Sequence, residues 1–524
     1  MKTSRRTMLK WALGAGQLAL LERFNLLGAG TARAASTDTP SRLCVIYVPG
    51  GFRPQYYFWP MGDDDVEACV PAPGGFSGEP VFFRKEQLVD LAPANGAFRP
   101  LRVWQSWDPM NPANRASSFT PAMYGFVHFG LADQLSVLHG VDQGTADHGS
   151  AFVSAMCGVA SPDFRAPALH SVAANWLHAR YAATRPLPFV VVTSERGTPV
   201  AQGLPSHAAP VRVPSVDALA PQMSDDPAKN PWWAQLNART ERPETDARGM
   251  PLGTTLKTTP LEQHTLGQPG KYLGRSTAKV DGFLESLHGS LRSVSRVLAS
   301  DVVSVLEATK GIDALVTNRP AYLANYLSGA FSYTFGLANF HMTNLEPRLD
   351  MALRLLKSDL TSAVHVSLSL DFDTHNGLGH GFSCAHGRAQ MDLVARFLGE
   401  LKATPAPGLP GKTMLDDTLV VVLSEFGRSW ASPSSGGYNL PDDHHPYTSV
   451  LFAGGNVAAN RQVGSYDRRG FGVETDLIEE NGQPSRRVPR SADAVATAMR
   501  IMGMDFHEFF IPGGYGEVVG LRRG

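Results

Sequence analysis

Long apolar runs that end abruptly at glycine, proline or a polar residue constrain the fold of this chain more than any other feature. They recur as RLCVIYVPGG (42–51), PFVVVTS (188–194), AVHVSLSLDFDTH (363–375), TLVVVLSEFG (418–427) and SVLFAGG (449–455). Runs without regular polar alternation are typical of strands that are buried on both faces, as in a parallel sheet. The sequence therefore predicts several buried strands around one core.

Helical patterns lie between these predicted strands. In QMDLVARFLGEL (390–401) the apolar residues follow a helical spacing, and a longer stripe of the same kind runs from Val280 to Val305. Strands that alternate with amphipathic helices indicate an α/β fold with a central, mostly parallel sheet and helices on both faces. We expect a single domain over 35–524, with a helical segment at about 271–360. A Pro-rich, polar stretch at about 197–270 predicts an irregular surface insertion.

The charge balance and the cysteines exclude two classes of function. Lys and Arg number 47 against 48 Asp and Glu, which gives a net charge of -1. A nucleic-acid-binding protein normally has a basic surplus, so no nucleic-acid partner is expected. The four cysteines are scattered without CxxC spacing, which indicates small core residues rather than a zinc–thiolate site.

The N-terminus has the features of an export signal. Arg5 and Arg6 precede a modest apolar stretch, and TARA (31–34) ends in a small-x-small pattern. We expect a twin-arginine signal peptide at 1–34 and a mature protein that is periplasmic or secreted, with the twin-arginine translocase as its partner during export. A short amphipathic helix is the alternative. The apolar stretch is broken by Glu22 and Arg23, so no stable membrane span is predicted.

Acidic residues and histidines cluster where the predicted strands end or begin. In open α/β sheets, ligands bind outside the carboxyl ends of the strands. Oxygen and nitrogen donors delivered together by separate strands suit zinc, manganese or magnesium. Any one of these residues alone would be read as a loop residue or a helix cap. The candidates are Asp371, Asp373, His375, His380 and His386 after one strand, Glu425 and Arg428 after the next, and Asp442, Asp443, His444 and His445 before the last.

Ordered sequence blocks carry a resemblance to a known family. The blocks are DTH (373–375), LDDTLVVVLSEFGR (415–428), DHHPYTSVLFAGGNV (443–457) and SADAVATAMRIMGM (491–504). Together with the N-terminal arginines they resemble a bacterial family of twin-arginine-exported proteins known as a domain of unknown function (number fifteen-oh-one). That family is regarded as a branch of the alkaline phosphatase and sulfatase superfamily. The resemblance is strong from about Ala363 to the C-terminus, weaker over 43–192 and absent over 197–270.

The resemblance implies an alkaline-phosphatase-like fold and roles for particular residues. Asp373, His375, Glu425 and His444 stand where metal ligands are expected, with Asp443 beside them, for one or two ions of zinc or manganese. It implies that Arg428 faces the ester oxyanion, or else forms a structural salt bridge.

The nucleophile helix implied by the resemblance is DHGSAFVSAMCG (147–158), where His148 occupies the position of the usual Cys, Ser or Thr. His148 is then a base or a phosphate contact, with water attacking; Thr145 and Ser150 lie nearby. An aspartate expected after Gly50–Gly51 is replaced by Tyr56, and Asp63, Asp64 and Asp65 lie further on. Both departures favour a single metal ion.

Three classes of function follow from these expectations. The first is a metal-dependent hydrolase of a phosphate or sulfate ester, carried by a small molecule or a polysaccharide. The second is a non-catalytic exported binding or envelope-assembly protein on a degenerate fold. The third is an enzyme of another reaction type on the same scaffold, because fold does not fix function.

Overall fold

A mixed sheet of eight strands lies at the centre of the part of the chain that the computed structural model describes. Its strands are β1 (Arg42–Tyr47), β4 (Leu135–Asp142), β5 (Leu187–Thr193), β6 (Val211–Arg212), β7 (Thr361–Ser367), β8 (Thr418–Leu423), β11 (Tyr447–Gly454) and β12 (Arg461–Val463). The described residues are 39–51, 88–90, 98–99, 101–104, 125–126, 129–159, 167–181, 184–193, 204, 208–215, 302–312, 332–368, 373, 380–428, 443–467, 470–505 and 514–523.

The strands lie in the order β12-β4-β11-β8-β1-β7-β5-β6. The pairs of β1 with β7 and β8, of β5 with β6 and β7, and of β12 with β4 are parallel. Only β11 is antiparallel to its neighbours in this sheet, β4 and β8. The predicted α/β class with a mostly parallel central sheet is confirmed, and β11 begins at the edge where the other strands end.

Helices cover both faces of the sheet. The described helices are α1 (His148–Cys157), α2 (Leu169–Tyr181), α3 (Val302–Ala308), α4 (Ser332–Lys357), α5 (His380–Ala403) and α6 (Ser491–Ile501). Helices α1, α2 and α6 share one core cluster with alternate residues of β1 and β8, such as Val45 and Val421. Helix α4 packs on β7, and α5 packs on α4. Each inner strand is thus buried on both faces, which explains its unbroken apolar run.

Smaller elements flank the main sheet. The strands β13 (Thr475–Glu480), β14 (Gln483–Arg487) and β15 (Glu517–Val518) form an antiparallel sheet, and β9 (Gly427–Arg428) pairs with β10 (His444–His445). The strands β2 (Leu88–Asp90) and β3 (Arg102–Trp104) form another pair, and a short 3-10 helix covers Ala132–Gln134. The pairing of β9 with β10 holds Arg428 opposite His444.

The chain divides into two compact units. One comprises residues 36–204, 208–214 and 309–524 and contains the sheets and all the described helices except α3. The other comprises 1–35, 205–207 and 215–308, of which the structure describes residue 215 and α3. Val302 and Leu306 of α3 are buried.

Several expectations fall partly or wholly outside the described residues. The predicted signal peptide at 1–34 lies outside them, as does most of the predicted insertion at 197–270. Within that insertion Val211–Arg212 forms β6, which pairs with β5 at one end of the sheet. Of the predicted helical segment at 271–360, α3 and α4 are described. No helix among the described residues is long and apolar enough to cross a membrane.

Two histidines meet inside the core between α2 and β7. His365 Nδ1 lies 3.1 Å from His170 Nε2, and both side chains are fully buried. Phe189 stacks on His170, and Tyr47 and Phe152 lie against His365. Burial lowers the pKa of His365 to about 3 and holds the pKa of His170 well below its usual value, with the neighbouring His365 adding to that effect. The pair is therefore neutral in the folded protein near pH 7.

This pair predicts that the fold loses stability in acid. Unfolding returns each imidazole to a pKa of about 6.5, so below that pH the unfolded chain binds more protons than the folded one. The contribution of His365 should fall by up to about 1.4 kcal/mol per pH unit between its unfolded and folded pKa values. Urea unfolding at a series of pH values should show a flatter acid slope for a His170→Leu/His365→Leu variant than for the wild type. Parallel slopes would assign the acid sensitivity to other groups.

Candidate metal centre

Residues from several chain segments meet at the carboxyl edge of the parallel strands. Gly50 follows β1, His148 follows β4, Asp373 follows β7 and Glu425 follows β8. His444 precedes β11, which reaches the same edge because it runs in the opposite direction. The reversal of β11 therefore brings the start of one strand to the ends of the others.

The first turn of α1 holds His148 at this edge. The Asp147 carboxylate accepts a hydrogen bond from the backbone N–H of Ser150 (2.9 Å), which caps the helix. That hydrogen bond lowers the pKa of Asp147. Gly158 ends the helix with a φ of 82°, a left-handed conformation that favours glycine. His148 is the first helical residue, so its ring is fixed by a well-defined helix terminus.

His148, Asp373 and His444 form a cluster of three possible metal ligands. His148 Nε2 lies 3.0 Å from Asp373 Oδ2, and His444 Nε2 lies 2.9 Å from Asp373 Oδ1. One ligand atom from each residue lies within 4.8 Å of the other two. The side chains of His148, Asp373 and His444 are 18%, 27% and 22% exposed, so solvent reaches the cluster.

The other nitrogen of each imidazole has a different partner. His148 Nδ1 lies 2.9 Å from Glu425 Oε1, and His444 Nδ1 lies 2.9 Å from the carbonyl oxygen of Ala146. A carbonyl oxygen only accepts hydrogen bonds, so His444 Nδ1 must carry a proton and donate. An ionised Glu425 requires the same of His148. A neutral ring of either histidine then turns an unprotonated Nε2 towards Asp373, which is how a metal-binding histidine with an anchored second nitrogen is oriented.

Phe426 packs against both imidazoles. Its ring centre lies 4.8 Å from that of His148 and 4.5 Å from that of His444, and the two imidazole centres are 4.5 Å apart. Phe426 is fully buried. It therefore restricts the rotation of both histidines from one side.

Arg428 is a buried partner of Asp373. Its Nη2 donates to Asp373 Oδ1 (2.7 Å), and its Nε donates to the carbonyl oxygen of Gly50 (2.7 Å). Burial raises the pKa of Asp373, but the hydrogen bond and positive charge of Arg428, together with the contacts of the two imidazoles, outweigh it and hold that pKa well below its usual range. Asp373 is consequently ionised. Arg428 thus forms a salt bridge that orients the Asp373 carboxylate, which is one of the two roles expected for it.

Glycine is required in the turn after β1. Gly50 and Gly51 have φ angles of 99° and 93°. A Cβ at Gly51 would lie 2.8 Å from the ring of Phe426 and 3.1 Å from Nε of Arg428. The turn therefore lets the backbone approach the two side chains that support the cluster.

Several of the predicted site residues lie in or beside the cluster. Asp373 and His444, predicted as ligands, lie in the cluster, and His148, predicted as catalytic, is its third member. Glu425 contacts the cluster through His148, and Asp443 Oδ1 accepts a hydrogen bond from the backbone N–H of His444 (2.9 Å).

Other predicted residues are not described or are described only in part. His375 lies outside the described residues, as do Asp371, Asp442, Tyr56, Asp63, Asp64 and Asp65, and the side chains of His380 and His386 on α5 are not described either. Thr145 Oγ1 accepts a hydrogen bond from the N–H of Asp147 (3.1 Å). Phe426 and the Ala146 carbonyl were missed, because neither an apolar side chain nor a backbone carbonyl carries a ligand signal in a sequence.

Comparison with known proteins gives a match to one family. Residues 338–516 match the family described as "Protein of unknown function (DUF1501)", less than half of the 524-residue chain. The matched segment contains Asp373, Glu425, Arg428 and His444 but not His148. No curated protein and no solved structure matches the chain.

Proposed function

We propose that the protein is a metal-dependent hydrolase of the alkaline phosphatase and sulfatase superfamily that acts on a phosphate or sulfate ester. The observation that carries the proposal is that both imidazoles use Nδ1 for an acceptor and turn Nε2 towards the Asp373 carboxylate. A lone pair at 2.9–3.0 Å from a carboxylate oxygen is repulsive unless a cation lies between them.

A divalent ion can take the place of two protons in this arrangement. With protons alone, two imidazoliums and the Arg428 guanidinium would surround Asp373. The Asp373 and Glu425 carboxylates, each 2.9–3.0 Å from an imidazole nitrogen, would offset the repulsion among these cations. One divalent ion shared by His148, Asp373 and His444 would replace both bridging protons and leave the two imidazoles neutral.

The donor set supports zinc or manganese. Two imidazoles and one carboxylate provide three protein ligands without a thiolate, which is the pattern of catalytic rather than structural zinc sites. Ligands of a tetrahedral zinc ion are about 3.3 Å apart, so the observed contacts of 2.9–3.0 Å would widen by a few tenths of an ångström. His375, predicted as a ligand from the sequence, is the candidate for a further position.

Some residues would bind such an ion, and others would hold these ligands in position. His148, Asp373 and His444 would hold it, and Arg428 and the Ala146 carbonyl would keep two of these ligands in place. When bound, a divalent ion polarises the ester oxygen and lowers the pKa of a bound water. Because the three ligands are partly exposed, an ester in solution reaches the site. The substrate is an ester of a small molecule or a polysaccharide encountered outside the cytoplasm after twin-arginine export.

Elemental analysis of the purified mature protein tests this proposal. We expect about one zinc or manganese ion per chain, and metal-dependent hydrolysis of at least one member of a panel containing 4-nitrophenyl phosphate, 4-nitrophenyl sulfate and a phosphodiester. Protein stripped with a chelator serves as the control and should regain activity with the same metal. A protein that holds no ion and binds none on titration would overturn the proposal in favour of a non-catalytic exported binding or envelope-assembly protein.

A further inference from the structure

Glu425 lies one hydrogen bond away from the cluster rather than in it. Its Oε1 accepts from His148 Nδ1 (2.9 Å) and from the backbone N–H of Gly50 (2.8 Å). Its Oε2 lies 3.0 Å from Ser424 Oγ. The carboxylate is fully buried, whereas His148 between it and Asp373 is partly exposed. Glu425 therefore reaches the cluster through the imidazole of His148.

The contacts of Glu425 show that its Oε1 is a hydrogen-bond acceptor. Gly50 can direct its N–H at the carboxylate because its φ of 99° is accessible to glycine. Because Oε1 accepts from the Gly50 N–H, the nitrogen of His148 that faces the same oxygen donates to it as well.

We infer that Glu425 is a positioning residue that fixes the Nδ1–H tautomer of His148 and turns its Nε2 towards Asp373, and that Glu425 does not bind the ion itself. This inference rests on the proposed metal centre and changes the role that the sequence predicted for Glu425. Partners of this kind hold the ring of a ligating histidine and increase its basicity, and their loss typically weakens metal affinity about 10–100-fold.

The first measurement is made on metal-free wild-type protein. Nitrogen chemical shifts of ¹⁵N-histidine-labelled protein should show His148, assigned by comparison with His148→Gln, as the Nδ1–H tautomer. An Nε2–H tautomer would overturn the inference without any variant of Glu425. If the wild type binds no metal at all, the proposed function fails, but this measurement still decides whether Glu425 sets the tautomer.

The second measurement compares the metal affinity of Glu425→Gln with that of the wild type. Competition with a chelator should give a Co²⁺ or Zn²⁺ dissociation constant about 10–100-fold higher in the variant, with the Co²⁺ visible spectrum unchanged in shape and intensity. A Co²⁺ spectrum that shows a lost ligand would make Glu425 a direct ligand and contradict the inference. An unchanged dissociation constant would contradict it as well.

Glu400→Gln provides the matched control. It makes the same change of charge on α5, where Glu400 is partly exposed and pairs with Lys357 (3.6 Å). Its metal affinity and the tautomer of its His148 should equal those of the wild type. Glu425→Leu adds a variant of similar size without an acceptor, and its His148 should lose the preference for the Nδ1–H tautomer.

Discussion

Replacing His444 with alanine should leave the purified protein without the metal ion that we propose. The variant removes one of the three ligand donors that meet at 4.8 Å or less among the described residues. Catalytic zinc sites commonly have three protein ligands, so two are too few to retain an ion through dialysis. We expect the metal content to fall from about one ion per chain to less than about one tenth, with ester hydrolysis lost in parallel. Mass spectrometry of the dialysed protein measures the metal content directly.

The neighbouring histidine is the matched control. His445 is buried against Tyr447 and Phe471 and is not in the cluster. His445→Gln removes an imidazole from the same short strand and should keep the metal content of the wild type. Equal metal in the wild type and in His444→Ala would remove His444 from the site.

A variant of His375 tests whether the proposed ion has a fourth protein ligand. The sequence predicts it as a ligand, and it lies outside the described residues. A metal-free His375→Ala variant would show that the ion has a fourth protein ligand, and retention of the metal would limit the protein ligands to the cluster of three.

The location of the candidate site was predictable from the sequence because ligands bind at the carboxyl ends of the strands in open α/β sheets. Asp373 and Glu425 follow apolar runs, and the carboxyl ends of parallel strands share one edge. His444 precedes its run, so its presence at the same edge depends on β11 being antiparallel. The hydrophobic pattern of a strand indicates that it is buried but not which way it runs in the sheet. The sequence alone therefore did not reveal that β11 is antiparallel.

The division of roles within the site was less predictable. Glu425 and Asp373 both follow buried strands, yet one is fully buried and the other is 27% exposed. Glu425 contacts the Gly50 amide, whereas Asp373 contacts Arg428 and His444, and these are all tertiary contacts. The contacts of His148 also depend on the tertiary structure. The resemblance implied a base or a phosphate contact at this position, and the structure places its Nε2 beside Asp373. The strand β6 was also missed, because two exposed residues, Val211 and Arg212, carry no hydrophobic pattern.

A buried ion network at the opposite edge of the sheet predicts a large effect on stability. Arg42 begins β1 and forms ion pairs with Asp417 and Asp359, which precede β8 and β7. Arg185, which precedes β5, donates from Nε to Asp359 (2.7 Å). Ser41 donates its backbone N–H to Asp417 (3.0 Å). Burial and the nearby Arg185 lower the pKa of Arg42 to about 10, so Arg42 stays charged near pH 7 and the network joins the amino ends of four strands.

Arg42→Met should lower the free energy of unfolding by about 3–5 kcal/mol. Arg42 and Asp417 are 1% and 4% exposed, so removing the guanidinium leaves a buried carboxylate without its main partner. The urea midpoint and slope measure the change. Arg522→Met is the control, since Arg522 pairs with Glu517 but is 41% exposed, and it should cost no more than about 1 kcal/mol. The double variant Arg42→Met/Asp417→Asn should recover part of the loss, because it no longer buries an uncompensated charge. If the double variant is less stable than Arg42→Met, the cost arises from lost packing of the arginine side chain and not from the charge of Asp417.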